Sequence, residues 1–404
     1  MNVFKLIWAS IRYQKLQSVL TLVLFTVSIA ISVAVVSFTS QLSDRINRTT
    51  QGIDLVVGAK GSPLQLILCN VFHIDYPTGN IRLIEAERIA KHSLIKEALP
   101  LALGDAFAGF RIVGSSDRYQ DWFGCTLSQG NWWKKDLEVV LGAEVASKSG
   151  LTIGSTFSSD HGLSESNGDH QEMKYKVVGI LNPGGSTTDR LILTSVNSLW
   201  KVHHLEFSPV TNPSRLLPSA EATDSTVEIT SILIRFRNPL AALQLPRIIN
   251  QGTTMQAASP AFEASRLQTI IGTGVEVLST FAWLILFLSG FSIFISLLTS
   301  LKQRQFDLAV MRVMGAARST IFAVILLEGL VISFSGALLG FILGHLALSG
   351  IFFSEVVTRN GISAFVFNSG ELFIAVYALL TGVLASLLPA LKAAHSDVHT
   401  ILTR

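Results

Sequence analysis

A chain of 404 residues that is 49% hydrophobic and only 15% charged, with a mean hydropathy of +0.48, is too apolar for a soluble globular protein. A formal net charge of +3 without any Lys/Arg block excludes a nucleic-acid surface. Four long apolar runs, residues 20–38, 277–301, 321–348 and 372–391, can each cross a hydrocarbon core that needs roughly 20 residues of helix.

Residues 1–16 place Phe4, Ile7, Trp8 and Ile11 at helical spacing with Lys5, Arg12 and Lys15 around them. This predicts an amphipathic helix on the inner membrane face, with simple flanking charge as the alternative. Residues 17–38 are predicted as the first membrane helix. A basic start before an apolar run also suits a signal peptide, but the run outlasts a signal core. No small-x-small site closes it before Gln41, Leu42, Ser43 and Asp44, so it reads as a retained anchor.

Residues 39–274 read as an α+β domain. Short strands are predicted at 53–57, 110–113, 139–141, 175–180 and 191–194, with a polar helix over 81–98 and another helix over 239–251. Residues 150–154 are turn-rich, 155–172 form a polar insertion, and 208–225, with three prolines, form a connection. Residues 262–276 are predicted to run unbroken into the second membrane helix. Asp160, His161, Glu165, Asp169, His170 and Glu172 gather carboxylates and imidazoles, and His203, His204 and Glu206 form a second group. Such donors suit zinc or a similar ion, but their spacing fits no defined zinc motif. A solvated acidic loop is therefore the reading adopted, and no metal ligand is assigned. His73 and Asp75, beside the apolar 64–68 stretch, mark either a membrane-proximal ligand surface or a packed turn. The two cysteines, Cys69 and Cys125, either pair in an oxidising compartment or stay apart, Cys69 packing as a small core residue. Gly58, Ala59, Lys60 and Gly61 lack the spacing and the Lys-Ser/Thr step of a phosphate loop. No nucleophile and base set or carboxylate pair marks a catalytic centre, so the chain is not expected to be an enzyme.

The remaining predicted elements are the second membrane helix, 275–301, a loop, 302–320, the third helix, 321–348, a loop, 349–371, the fourth helix, 372–391, and a tail, 392–404. Lys302, Arg304, Arg312 and Arg318 crowd the first loop, whereas the second has Arg359 as its single basic residue. Together with Lys5, Arg12 and Lys15, this bias puts both termini and 302–320 in the cytoplasm, and 39–274 and 349–371 outside. Gly336, Gly340 and Gly344 repeat every four residues, a helix-packing stripe within the subunit or across a dimer. Glu328 lies inside the third span and His345 near its outer end, where water is expected to solvate it.

Arg304, Asp307, Met311, Arg312, Gly315, Ala316 and Arg318 fall on the pattern R-x-x-E-[IL]-x-x-[LM]-R-x-[LM]-G-A-x-[RK], with Asp307 in place of the usual Glu. The segment thereby resembles the ATPase-coupling loop of permeases in the MacB/FtsX-like (type VII) ABC transporter family. Pro389, Ala390, Leu391, Lys392, Ala393 and Ala394 are similar to that family's P-A-x-[KR]-A-A ending, although Ser396, Asp397, Val398 and His399 depart from its D-P-x-x-A-L continuation. The one-plus-three layout extends the likeness over the whole chain, and 141–146, 150–154 and 177–180 look like strands of the family's outer domain. Glu328 matches a Glu common in the family, which favours a structural or coupling role.

The resemblance implies a permease subunit in a bacterial cytoplasmic membrane, dimeric with itself or a related chain, contacting membrane lipid. ATP and Mg would be bound by a separate ATPase subunit, with no cofactor in this chain, and a periplasmic partner is among those implied. A short helix between two spans can dock in an ATPase groove through Phe306, Leu308, Val310, Met311, Val313 and Met314, with Arg304, Arg312 and Arg318 pairing acidic groups. For the arginines alone, positive-inside signalling explains as much. Export or extraction of a substrate is the expected function. The alternative is an FtsX-like mechanotransmitting regulator that moves no substrate, and a third, from another class, is an anchored ligand receptor without an ATPase.

Overall fold

The computed structural model describes residues 9, 12–13, 15–161, 173–203, 209–210, 219–220, 227–349 and 367–395. Most of the predicted 1–16 helix lies outside them, as do Glu165, Asp169, His170, Glu172, His204, Glu206, nearly all of 208–225, Arg359 and the tail from Ser396. Eleven α-helices are described: α1 Lys15–Thr50, α2 Pro63–Asn70, α3 Leu83–Ala90, α4 Tyr119–Phe123, α5 Ala143–Ser149, α6 Val196–Val202, α7 Ala241–Gly252, α8 Pro260–Gln303, α9 Gln305–Val313, α10 Arg318–Leu348 and α11 Ser369–Ala394. The chain divides into two compact units, one of Met1–Asp44 with Ile270–Arg404 and the other of Arg45–Thr269.

The Arg45–Thr269 unit is built on a mixed sheet whose described strands are β1 Leu55–Ala59, β2 Ile95–Phe107, β3 Phe110–Ser115, β4 Leu127–Gly130, β5 Glu138–Leu141, β6 Thr156–Phe157, β7 Asp160–His161, β8 Tyr175–Leu181, β9 Leu191–Ser195, β10 Ser231–Phe236 and β11 Met255–Ala258. Their order is β11-β1-β10-β2-β3-β9-β5-β8-β4, with β6 added to β8 and β7 to β2. β3 with β9 and β5 with β8 are parallel, and the other pairs are antiparallel. The long β2 joins the two halves, pairing with β10 along its first part and with β3 along its second. Successive residues of a strand face opposite sides, and here both sides are covered. Val56, Leu99, Val113, Val140 and Leu233 meet Leu66 and Ile67 of α2 and Tyr119 and Trp122 of α4. On the other side Leu55, Ile112, Val139, Ile192 and Ile232 meet Leu83 and Ala86 of α3, Leu199 and Trp200 of α6, and Leu245 and Ile249 of α7.

Several predicted elements change here. The helix expected over 81–98 is helical only in α3, and its last part opens β2, where Ile95, Ala98 and Leu99 are buried in the sheet. The 141–146 stretch, likened to a strand, turns after Leu141 into α5. β2, β10 and β11 have no counterpart in the predicted strands, because strands buried on both faces lose the alternation that marks a half-exposed one.

The other unit contains the apolar parts of α1, α8, α10 and α11, four helices long and apolar enough to cross a membrane. Phe25, Ile29 and Val33 of α1 pack with Leu286 and Ile293 of α8, Ile332 of α10, and Ile374 and Ala378 of α11. Outward-facing Leu284, Phe287, Leu288 and Phe291 are half exposed or more, an apolar surface that suits lipid. The glycine stripe of α10 lies against α1. A Cβ at Gly336 would come within 2.8 Å of Phe25, one at Gly340 within 2.6 Å of Ile29, and one at Gly344 within 2.9 Å of Val33. On another side of α10, Gly329 and Ser333 interlock with Gly382 and Ser386 of α11. Small residues thus let α10 approach two helices at backbone distance, the packing that membrane helices favour when burial of apolar surface drives nothing. His345, expected to be solvated, instead places Nε2 3.2 Å from Oε2 of buried Glu371, whose Oε1 accepts from Ser37 Oγ. Glu371 was predicted in a loop but stands in the first turn of α11. The contact follows from that: α1, α10 and α11 satisfy one buried carboxylate between them.

Candidate functional site

The residues that matched the coupling pattern fall on α9 and its flanks. α8 ends at Gln303, and Arg304 leaves the helix at φ −113°, ψ 15°, so the backbone turns before α9 begins. α9 is amphipathic. Leu308 and Ala309 are buried, Val310 and Met311 half-buried, and Phe306, Val313 and Met314 exposed at 60%, 66% and 73%. The inward side chains Leu308 and Met311 sit among Leu301 of α8, Ile321 and Ile325 of α10, and Ala390 and Ala393 of α11. One short helix therefore touches the ends of the three long ones that carry the last three apolar runs.

Two arginines fix it there. Arg304 Nη1 stands 3.9 Å from Glu328 Oε2, and both side chains are largely buried. Arg312 Nη1 donates to the Ala394 carbonyl at 3.2 Å, capping the end of α11 with a cation where the helix dipole favours one. α9 ends in a Schellman turn: Gly315 N–H donates to the Arg312 carbonyl at 3.1 Å and Ala316 N–H to the Met311 carbonyl at 3.0 Å. Gly315 holds φ at 98°, a conformation open to glycine and strained for other residues. The pattern thus divides. Arg304, Met311, Arg312 and Ala316 turn at least partly inward, whereas Asp307, Gly315 and Arg318 are exposed. Glu328, expected in a structural or coupling role, joins this site, and so do Ala390, Ala393 and Ala394 of the family-like ending, which were not tied to it. The spacing of Ala390 and Ala393, three apart on α11, was the available signal.

Elsewhere the candidate groups of the sequence remain dispersed. Among the described residues, no three His, Cys, Asp or Glu side chains stand together as a metal site. Cys69 and Cys125 are both free thiols, and burial pushes each up to about 11. Cys69 Sγ lies 3.5 Å from Arg111 Nη1, so it packs in the core against a buried guanidinium. His73 adopts φ 55°, and both its ring nitrogens are buried without a hydrogen-bond partner. Burial and the nearby Arg111 hold it down to about 3, a neutral imidazole in a packed turn.

Comparisons with known proteins match two regions. Residues 18–245 match the MacB-like periplasmic core domain, and residues 279–398 match the FtsX-like permease C-terminal domain. No curated protein matches the chain. Among solved structures, the periplasmic region of MacB from Actinobacillus actinomycetemcomitans is 15% identical, with a TM-score of 0.34, covering 55% of this chain and 95% of that one. The extracellular domain of the ABC-type transporter YknZ from Gram-positive bacteria is 13% identical, with a TM-score of 0.30, covering 51% and 98%. At such scores the two sequence models carry the comparison.

Proposed function

The chain belongs to the MacB/FtsX-like permease family of ABC transporters, a membrane protein with a large extracytoplasmic α+β domain, and from that premise we propose that it is driven by a separate ATPase docking on α9. The observation that carries this is the two-sided construction of α9. Its outer face presents Phe306, Val313 and Met314 beside Asp307 and Arg318, an apolar patch with charges of both signs that fits a protein groove. Its inner face is wedged among α8, α10 and α11. A push on the outer face reaches α10 through Arg304 and Glu328, and α11 through Arg312 and Ala394.

In this proposal both termini and α9 are cytoplasmic, the four spans follow a one-plus-three topology, and two permease subunits assemble with two ATPase subunits. ATP and Mg act in the ATPase alone. The glycine stripe of α10 is already covered by α1, so the dimer uses another face. Closure of the ATPase pair would tilt the helices and move the outer domain, exporting or extracting a substrate. A regulator of the FtsX type would use the same coupling without cargo. Purification with the partner ATPase tests the docking: Phe306→Asp with Met314→Asp should lose the ATPase while the permease stays folded. Retention of the ATPase by that double variant would refute the site. ATP-dependent movement of a compound in reconstituted vesicles then separates a transporter from a regulator.

A further inference from the structure

Arg190 closes the helical turn Thr187–Arg190, where the surrounding groups leave positive charge short of a counter-charge. Asp189 accepts from the Gly184 N–H at 3.0 Å and the Gly185 N–H at 2.7 Å, so its carboxylate is engaged by the backbone just before it. Glu144, on α5, accepts from Lys148 Nζ at 2.8 Å and stands 3.6 Å from Arg190 Nε, too far for a hydrogen bond. Arg45, near the end of α1, is half-buried and forms no ion pair among the described residues. Burial and the charge of Arg190 work against its ionised form, while Asp189 and Glu144 work for it. All of these residues belong to the Arg45–Thr269 unit. Arg45 Nη1 and Arg190 Nε are buried donors without an acceptor. Three cations, Arg45, Lys148 and Arg190, thus share two carboxylates that already have partners.

We propose that Arg45 and Arg190 together bind a phosphate group, carried by a phospholipid headgroup or free in solution. Guanidinium forks match phosphate oxygens with paired N–H donors, which makes arginine the side chain of choice for such a ligand. The bound group supplies the acceptor that both buried nitrogens lack and the negative charge that the cluster lacks. Arg190 keeps 37% of its side chain exposed, which leaves the ligand a way in. The place of Arg45 on α1 favours the lipid over the free ion. It stands seven residues past Phe38, the end of the first apolar run, or about 10 Å along an unbroken helix. Headgroups occupy roughly the first 5–8 Å beyond a hydrocarbon core, and a long basic side chain reaches back to that level. The lipid source rests on reading the first apolar run as a membrane span, and the site is independent of ATPase docking on α9.

The test uses the full chain, delipidated in a non-ionic detergent, and follows its thermal midpoint in three arms. The first dopes the micelles with phosphatidylglycerol, the second with diacylglycerol, which lacks the phosphate, and the third adds inorganic phosphate at constant ionic strength. Phosphatidylglycerol should raise the midpoint and diacylglycerol should not, and a rise with inorganic phosphate alone would make the free ion the ligand. Arg45→Gln and Arg190→Gln, each checked for native circular dichroism, should need about tenfold more ligand or beyond for the same rise. Arg88→Gln, at an exposed position of α3, should respond as the parent does. Without phosphate, Arg45→Gln should melt no lower than the parent, because it removes a charge that Arg190 opposes. If Arg45→Gln fails to fold, Arg190→Gln decides. The proposal is overturned if neither phosphate source stabilises the parent, if either folded variant responds at the parent's ligand concentrations, or if Arg45→Gln lowers the midpoint equally in every arm.

Discussion

Gly315 and His73 both hold positive φ, and the cost each residue carries is different. At Gly315 the left-handed backbone closes the Schellman turn that ends α9, and open space surrounds the position where a Cβ would sit. A substitution there therefore tests backbone conformation without a clash. Gly315→Ala should cost ~1–2 kcal/mol, seen as faster exchange of the two amides that close the turn, at positions 315 and 316, with membrane assembly intact. At His73 the cost is desolvation. Its folded pKa of about 3 lies below the ordinary value of 6.5, so the unfolded chain takes up a proton between those values that the folded chain refuses. The stability this residue contributes is complete above about pH 6.5 and is lost as pH falls towards 3. Asn tolerates positive φ, so His73→Asn should flatten the fall in thermal midpoint between pH 7 and pH 4. Parallel curves for variant and parent would show that His73 is not the titrating group.

α9 shows what an element contributes beyond its residues, because its two faces make separable predictions. The outward double variant of Phe306 and Met314 is expected to lose the ATPase. Leu308→Ala leaves that surface intact and removes a buried side chain from the junction of α8, α10 and α11, at about 2–5 kcal/mol by the usual cost of such a truncation. It should retain the ATPase in copurification and lose ATP-driven activity. Loss of ATPase binding in Leu308→Ala would mean that α9 is one rigid docking body with no inward transmission. The same element shows where sequence stops. Its amphipathic pattern, the turn at Gly315 and the family likeness were legible in one short stretch. The contact of Arg304 with Glu328 spans 24 positions and depends on how α8 and α10 pack, which spacing does not encode. β2 failed for a different reason. Glu85, Glu87, Arg88 and Lys91 give the preceding stretch a helical composition, and a strand buried on both faces shows no alternation to mark where that helix stops.

At the scale of the molecule, the membrane-facing unit depends on α10 approaching α1 and α11 more closely than side chains of ordinary size permit. The four apolar runs were plain in the sequence, and so was the stripe at Gly336, Gly340 and Gly344. Which helix covers it was not, since a stripe of small residues fits any neighbour. With α1 on the stripe, the central position has a specific consequence. A Cβ at Gly340 would lie 2.6 Å from Ile29 Cβ, which truncation does not remove, and 2.8 Å from the Thr26 carbonyl, which belongs to the backbone. Gly340→Ala should therefore destabilise the unit by about 1–3 kcal/mol through overpacking, measured as equilibrium unfolding of the full protein in mixed micelles. Adding Ile29→Gly removes the side-chain clash and leaves the carbonyl contact. The double variant should then recover part of the overpacking cost relative to Ile29→Gly alone, a coupling that additive losses would contradict. Gly272→Ala has no neighbour within 4 Å and serves as the control, expected to leave stability unchanged or slightly raised.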